Sequence, residues 1–271
     1  MSFAGKAMKI RGKGLKDILN GCYDWKLAFY LAWADIRQRY RRSSLGPFWI
    51  TISTGVMIGC LGFIFGTLFK IPSYEFLPFL AIGLITWGYI QTVLVEATTV
   101  FASAEAIIKQ LPLPIFTHLL RMCFRNIYIF LHNIVIYPLV LLCIGRPLGW
   151  AGLLVIPGFL LLTFNLLWMS LILGIICSRF RDLSQIVINL LQVSFYVTPI
   201  IWLPSALPQK TSLMILEPNP FYHLIELVRA PLMNQEPTAL NWTFALLLCV
   251  IGWAIAIKMF NLYKPRIAYW L

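Results

Sequence analysis

Apolar residues dominate six stretches of the chain, Phe48–Phe69, Phe76–Val100, Phe124–Ile144, Leu153–Cys177, Leu183–Leu203 and Trp242–Phe260, and polar positions gather between them. A helix crosses roughly 30 Å of hydrocarbon with about 20 apolar residues at about 1.5 Å each. The pattern therefore predicts an all-α integral membrane protein with six transmembrane helices.

The segment before the first run has a different period. At about 100° per residue, Trp25, Phe29, Ala32, Trp33, Ile36 and Tyr40 share one arc, while Lys26, Arg37 and Arg41 lie at or beyond its edge. This predicts an amphipathic helix in the membrane interface, its aromatic side in lipid and its basic side towards headgroups. Arg39 falls inside the apolar arc and has to snorkel or pair. Ser-Leu-Gly-Pro then breaks the helix, with Pro47 suited to the first turn of the first span. Residues 1–46 form a cytoplasmic amino-terminal segment on this reading, and residues 47–271 form the six-span domain.

Two further patterns stand out. Inside the first span Gly55, Gly59, Gly62 and Gly66 recur on one side, which lets another helix approach closely. Between the fifth and sixth spans the outer connection is rich in proline, yet Phe-Tyr-His-Leu-Ile-Glu-Leu-Val-Arg is apolar enough for a helix. Two half-length re-entrant helices hinged near Glu-Pro-Asn-Pro satisfy both facts, because irregular backbone survives in a membrane only where protein or water covers it. A single helix lying flat on the surface is the alternative.

Charge adds an orientation. The first 45 residues carry ten Lys or Arg and no apolar signal-peptide core, so the amino terminus is expected to stay inside. Six spans return the carboxyl terminus to the same side. That arrangement places 18 of the 22 Lys and Arg inside and leaves only Lys70, Arg146, Lys210 and Arg229 outside. The net charge of +12 then follows from topology and an anionic inner leaflet, and nucleic acid is not required. With 60% hydrophobic and 12% charged residues and a mean hydropathy of +0.80, the composition also reads as that of a membrane protein. The six cysteines are scattered without CxxC spacing and read as small buried hydrophobes.

The chemistry-bearing residues are few. No zinc pattern, nucleophile elbow or GxxxxGK[ST] phosphate loop occurs, so no ATP site, metal site or other cofactor is expected in this chain. Among the acids, Glu96 alone is a candidate within a span, and it reads as an anchor paired with a basic side chain near the inner interface. A proton relay normally needs several intramembrane carboxylates. Aromatic and neutral hydrogen-bonding residues in the spans include Trp87, Tyr89, Tyr128, His132, Asn133 and Tyr196. They suit an uncharged, hydroxyl-rich passenger lining a channel, and they suit helix packing equally well.

Three stretches, RYRRSSLGPFWI at the first span, SRFRDLSQIVINLLQVSFYVTPI at the fifth and NPFYHLIELVRAPL before the sixth, resemble the ABC-2 family of transporter permeases. The likeness is greatest to the polysaccharide export branch, the O-antigen permeases of the Wzm type with their capsule and teichoic acid relatives, and it runs from about Asp24 to the end. It implies a homodimer working with two copies of a separate ATPase, which binds the ATP and Mg, and a cargo of polysaccharide linked to undecaprenyl diphosphate in a bacterial inner membrane. A capsular polysaccharide, teichoic acid, lipid or drug cargo, or a membrane enzyme acting on lipid-linked sugars, are the rival readings. Such a permease receives mechanical work through an inner loop. Glu105, Ile108, Lys109 and Gln110 have helical composition, and Pro112 and Pro114 impose a fixed stop, so Glu105–Pro114 is expected to be the coupling segment. Relatives often have a sequence resembling Asn-Phe-Pro there, whereas this chain has Lys-Gln-Leu-Pro-Leu-Pro. Arg37, Arg39, Arg41 and Arg42 are expected to attract the diphosphate headgroup, since guanidinium groups match phosphate oxygens two at a time.

Overall fold

The computed structural model describes residues 13–41, 46, 48–206 and 208–271, and every regular element among them is helical. Two helices precede the first apolar run, α1 (Lys13–Tyr23) and α2 (Trp25–Tyr40). They are followed by α3 (Phe48–Phe69), α4 (Ser73–Ala97), a short α5 (Glu105–Gln110), α6 (Phe116–Ile134), α7 (Ile136–Ile144) and α8 (Val155–Arg179). The chain ends with α9 (Leu183–Val197), α10 (Gln209–Leu216), α11 (Pro220–Leu232) and α12 (Ala239–Trp270).

Five segments are long and apolar enough to cross a membrane: α3, α4, α6 with α7, α8 with the turn before it, and α12. The expected fifth span is the exception. Its helix, α9, has only 15 residues, about 22 Å at 1.5 Å per residue. Thr198 is extended at ψ 135°, as the residue before a proline must be, and Pro199 therefore ends the helix six residues before the expected limit at Leu203. The break between α6 and α7 at Val135 has a similar cause, because Pro138 offers no N–H to the carbonyl one turn earlier.

The most protected helix is α4, with 78% of its apolar window inside the protein against 11% for α3. Around α4 the rings of Tyr89, Phe130 and Phe159 pack with centroids 4.4–5.3 Å apart, and Tyr89 and Thr163 share a hydrogen bond of 3.1 Å. α8 lies along α12, and the contact is close because Gly252 faces the Trp168 ring; a Cβ there would come within 2.1 Å of it. Asn165 spans the same joint, donating to the Ala245 carbonyl at 3.1 Å and accepting from Trp168 Nε1. The glycine stripe of α3 divides. Gly62 packs on Leu77 of α4 and Gly66 approaches Phe76, while nothing in the described structure lies within 4 Å of the position a Cβ would take at Gly55 or Gly59.

Helix α2 exists over the expected residues, but the face it packs on α6 is narrower than the arc read from the sequence. Ala28, Ala32 and Ile36 are buried, whereas Trp25, Phe29 and Trp33 remain about half exposed. Small residues let the two helices approach, and the aromatic side chains flank the contact on Phe124 and Tyr128. Arg42 and Pro47 lie outside the described residues.

Candidate functional site

Helix α5 is short, and an isolated helix of six residues is unstable in water. Three features hold it. Glu105 and Lys109 pair across one turn at 2.6 Å on its exposed side. Ile108 packs on the core, and Leu111, extended ahead of Pro112, stops the helix. Glu105 has its carboxyl held below the ordinary value, first by the hydrogen bond and charge of Lys109 and then by the nearby charge of Arg181. Arg181 belongs to the Arg-Phe-Arg-Asp turn between α8 and α9, so the charge of that turn is felt at α5.

The Leu-Pro-Leu-Pro exit is fixed from a distance. The Asp17 carboxylate of α1, 5% exposed, accepts the backbone N–H groups of Ile115 at 3.2 Å and Phe116 at 2.9 Å. These are the otherwise unsatisfied donors at the start of α6, where the helix dipole also favours a negative charge. Lys264 of α12 pairs with the same carboxylate at 2.7 Å. α1 is tied down a second time by Asn261, whose side-chain oxygen accepts the N–H groups of Gly14 and Leu15. Gly14 is required at that contact, since a Cβ would lie 2.7 Å from the Asn261 nitrogen. A cavity of about 410 Å³ runs between these parts, lined by Lys16, Asp17, Ile108, Pro112, Pro114 and Lys264 among others.

A second cluster joins α2 to the bundle. Asp35 accepts a two-pronged bond from Arg121, through Nε at 2.7 Å and through Nη2, and a third bond from Arg125 at 3.0 Å. Arg125 and Asn126 both reach Glu96 at 2.7 Å, and Arg39 approaches the same carboxylate at 3.7 Å. Arg39 thus pairs, and Glu96 is the anchored acid the sequence suggested. Burial alone would raise the pKa of Asp35, but the hydrogen bonds and charges of Arg121 and Arg125 outweigh it and hold the carboxyl below its ordinary value.

Arg37 and Arg41 line an open groove of about 800 Å³ with Trp33, Tyr40 and Tyr128. The Tyr128 ring lies tilted against His132 with centroids 4.7 Å apart, His132 meets Phe48 edge-on, and Asn133 accepts from Thr51, so these three residues of α6 lie together beside the start of α3. Trp87 and Tyr89 are placed elsewhere. They are 3% and 4% exposed inside the chain's own core, Trp87 against Phe195 and Phe221. Tyr196 is exposed on α9. The structure does not bring these six residues together.

Two of the stretches singled out in the sequence do touch. Asn219 donates to the Thr198 hydroxyl at 2.9 Å, and Arg229 donates to the Pro199 carbonyl at 2.5 Å. Arg229, 1% exposed, also pairs with Glu226 and lies 4.1 Å over the Phe79 ring, so this cation is part of the core rather than of an outer surface. A profile of the ABC-2 type transporter family matches residues 26–233 of the chain.

The chain belongs to that family. Two similar proteins are O-antigen export system permease proteins RfbA of Klebsiella pneumoniae. One is 26% identical over 242 residues, 86% of this chain and 90% of its own length. The other is 27% identical over 262 residues, 94% of this chain and 98% of its own. The ABC-2 match takes in α2 to α11. Asp17 and Lys264, which fix the exit of α5, both lie beyond it. Asp17, Asp35, Arg121 and Arg125 were not among the residues that the sequence singled out. The available signal was the spacing of Arg121 and Arg125, which puts two cations on one face of an otherwise apolar helix.

Proposed function

We propose that this ABC-2 chain is the permease subunit of an exporter carrying an undecaprenyl-diphosphate-linked polysaccharide of the O-antigen type across the bacterial inner membrane. Two copies form the translocation path, and two copies of a separate ATPase supply the work. ATP and Mg belong to that partner, and this chain binds no cofactor of its own. The likeness to two O-antigen export permeases over most of both chains supports the cargo. The observation that carries the mechanism is α5, an exposed helix stopped by prolines whose exit is capped by Asp17. A rigid peg of this kind suits a cleft on the partner.

In this reading both termini and α5 face the cytoplasm. α9 and the stretch after it complete a sixth crossing, since extended chain adds up to about 3.3 Å per residue. α10 and α11 are re-entrant from the outer side. Support for that comes from Phe221 at the start of α11, which packs on Trp87 past the midpoint of α4, while Tyr137 bonds the Leu232 carbonyl at its other end. ATP binding closes the partner dimer and pushes α5. Through α1 and the Asp35 cluster the push reaches α2, and the two permeases part to admit the polymer. Arg37 and Arg41, with Arg42 beyond them, attract the diphosphate.

Membranes containing this chain with Lys109→Cys and candidate ATPases bearing single cysteines test the reading. A crosslink at position 109, accompanied by ATP hydrolysis that rises when lipid-linked polymer is present, is the expected outcome. Absence of association with any ATPase overturns it. Export that persists after Arg37 and Arg41 are changed to Gln removes the headgroup role alone.

A further inference from the structure

His118 lies near the start of α6 with 3% of its surface exposed, and among the described residues neither ring nitrogen has a hydrogen-bond partner. A buried polar group left unmatched carries its full desolvation cost. An imidazole so placed therefore calls for a polar guest. The ring borders a cavity of about 270 Å³ walled by Asp35, Glu96, Thr99, Ser103, Arg121 and Arg125. Positions 118, 121 and 125 follow helical spacing, so the imidazole and both guanidinium groups line one side of α6.

The groups already matched and the groups left over decide the guest. Asp35 is taken by Arg121 and Arg125, and Glu96 by Arg125, Asn126 and Arg39. The Nε of Arg125 is buried with no partner among the described residues. Ser103 bonds only within its own turn, to the Val100 carbonyl at 3.2 Å. What remains in the cavity is mainly donor capacity; Arg121 and Arg125 line it with Asp35 and Glu96, and Arg39 adds a third positive charge from outside the lining, 3.7 Å from Glu96. Spare N–H groups with a surplus of positive charge match the oxygens of an oxyanion.

We propose that this cavity binds a phosphate group, held by His118 and the spare N–H of Arg125. The site is separate from the groove at Arg37 and Arg41. It lies beside Thr99–Ala104, the turn that leads into α5, so a bound phosphate bridges α6 to that turn and stiffens the joint between α2 and the coupling segment. Two sources share the chemistry, free phosphate and the headgroup of a phosphorylated lipid. The second rests on the export reading and the first does not.

The full chain in phosphatidylcholine nanodiscs is titrated with radiolabelled inorganic phosphate, with and without a polyprenyl diphosphate in the bilayer. Saturable phosphate binding is expected, weakened about tenfold by His118→Leu, the loss that follows removal of one hydrogen bond to a charged group. His118→Gln, which keeps a donor, recovers part of it. Ser103→Trp, on an exposed turn and able to fill the cavity mouth, abolishes it with the helical circular dichroism unchanged. Displacement of phosphate by the polyprenyl diphosphate in the unsubstituted chain assigns the lipid source, and saturable binding without displacement assigns free phosphate. Phosphate binding that does not saturate, or that is the same in the unsubstituted chain, His118→Leu and Ser103→Trp, overturns the proposal and leaves a cavity holding water only. These measurements need neither ATPase nor cargo, so their failure is distinct from failure of the export reading.

Discussion

Asp35 is the residue on which the docking of α2 depends most directly. Its carboxylate receives three guanidinium hydrogen bonds, and removing it leaves Arg121 and Arg125 side by side with their positive charges less compensated. The expected cost of Asp35→Asn at neutral pH is about 2 kcal/mol, typical of hydrogen bonds to charged groups that are only partly buried. The sign of its pH dependence follows from the depressed folded pKa. The stabilisation is fully present above the ordinary carboxylate value of about 4 and is lost as pH falls through the lower folded value. Unfolding midpoints of the two proteins in detergent should therefore differ equally at pH 7 and at pH 5, and begin to converge only as pH falls below about 4. A difference that stays constant down to pH 3 would mean that packing, and not charge, distinguishes them.

At the scale of elements, α5 is short enough for its boundaries to decide its behaviour. Pro112→Ala together with Pro114→Ala restores two N–H groups and releases Leu111 and Leu113 from the extended backbone that prolines impose. The helix can then lengthen, and the fixed distance between α5 and the Asp17 cap is lost. On the proposed export reading, transport driven by a partner ATPase should fall at least about tenfold, because a misplacement of about 1 Å in a coupled geometry commonly costs more than that. Membrane insertion should remain normal by protease protection, since the apolar runs are untouched. Normal export in the double variant would show that the stop has no mechanical role. The same element shows what could be read from the sequence. Its helical composition and its proline stop are local, and both were legible. Asp17 is separated from Ile115 by 98 positions and Lys264 from Asp17 by far more, and no local period signals a contact of that range. The length of the helix in the fifth stretch was illegible for the opposite reason. Hydropathy averages over a window, whereas Pro199 acts at one residue and ends α9 early. The burial of Trp87 and Tyr89 was illegible because an aromatic side chain in a span gives the same pattern whether it faces a channel or a neighbouring helix.

The whole molecule leaves α3 as its least covered span, with only its second half packed on α4. If two copies associate along that helix, the glycine stripe should behave as two different surfaces. Gly62→Trp collides with Leu77 of the same chain, since even a Cβ would stand 2.4 Å from its Cδ1, and overpacking of this kind destabilises by about 1–3 kcal/mol or more. Among the described residues nothing lies within 4 Å of a Cβ placed at Gly59, so Gly59→Trp starts into open space. It should leave the unfolding midpoint of a single chain unchanged while blocking the close approach that small residues permit between helices. Size-exclusion with light scattering in detergent then separates the two effects. Gly62→Trp should lower stability and yield of the folded chain, whereas Gly59→Trp should convert a two-chain particle into a one-chain particle of normal helical content. A Gly59→Trp protein that keeps its two-chain mass would exclude this half of α3 from the contact, and the second copy would have to be sought along the exposed side of α9 instead.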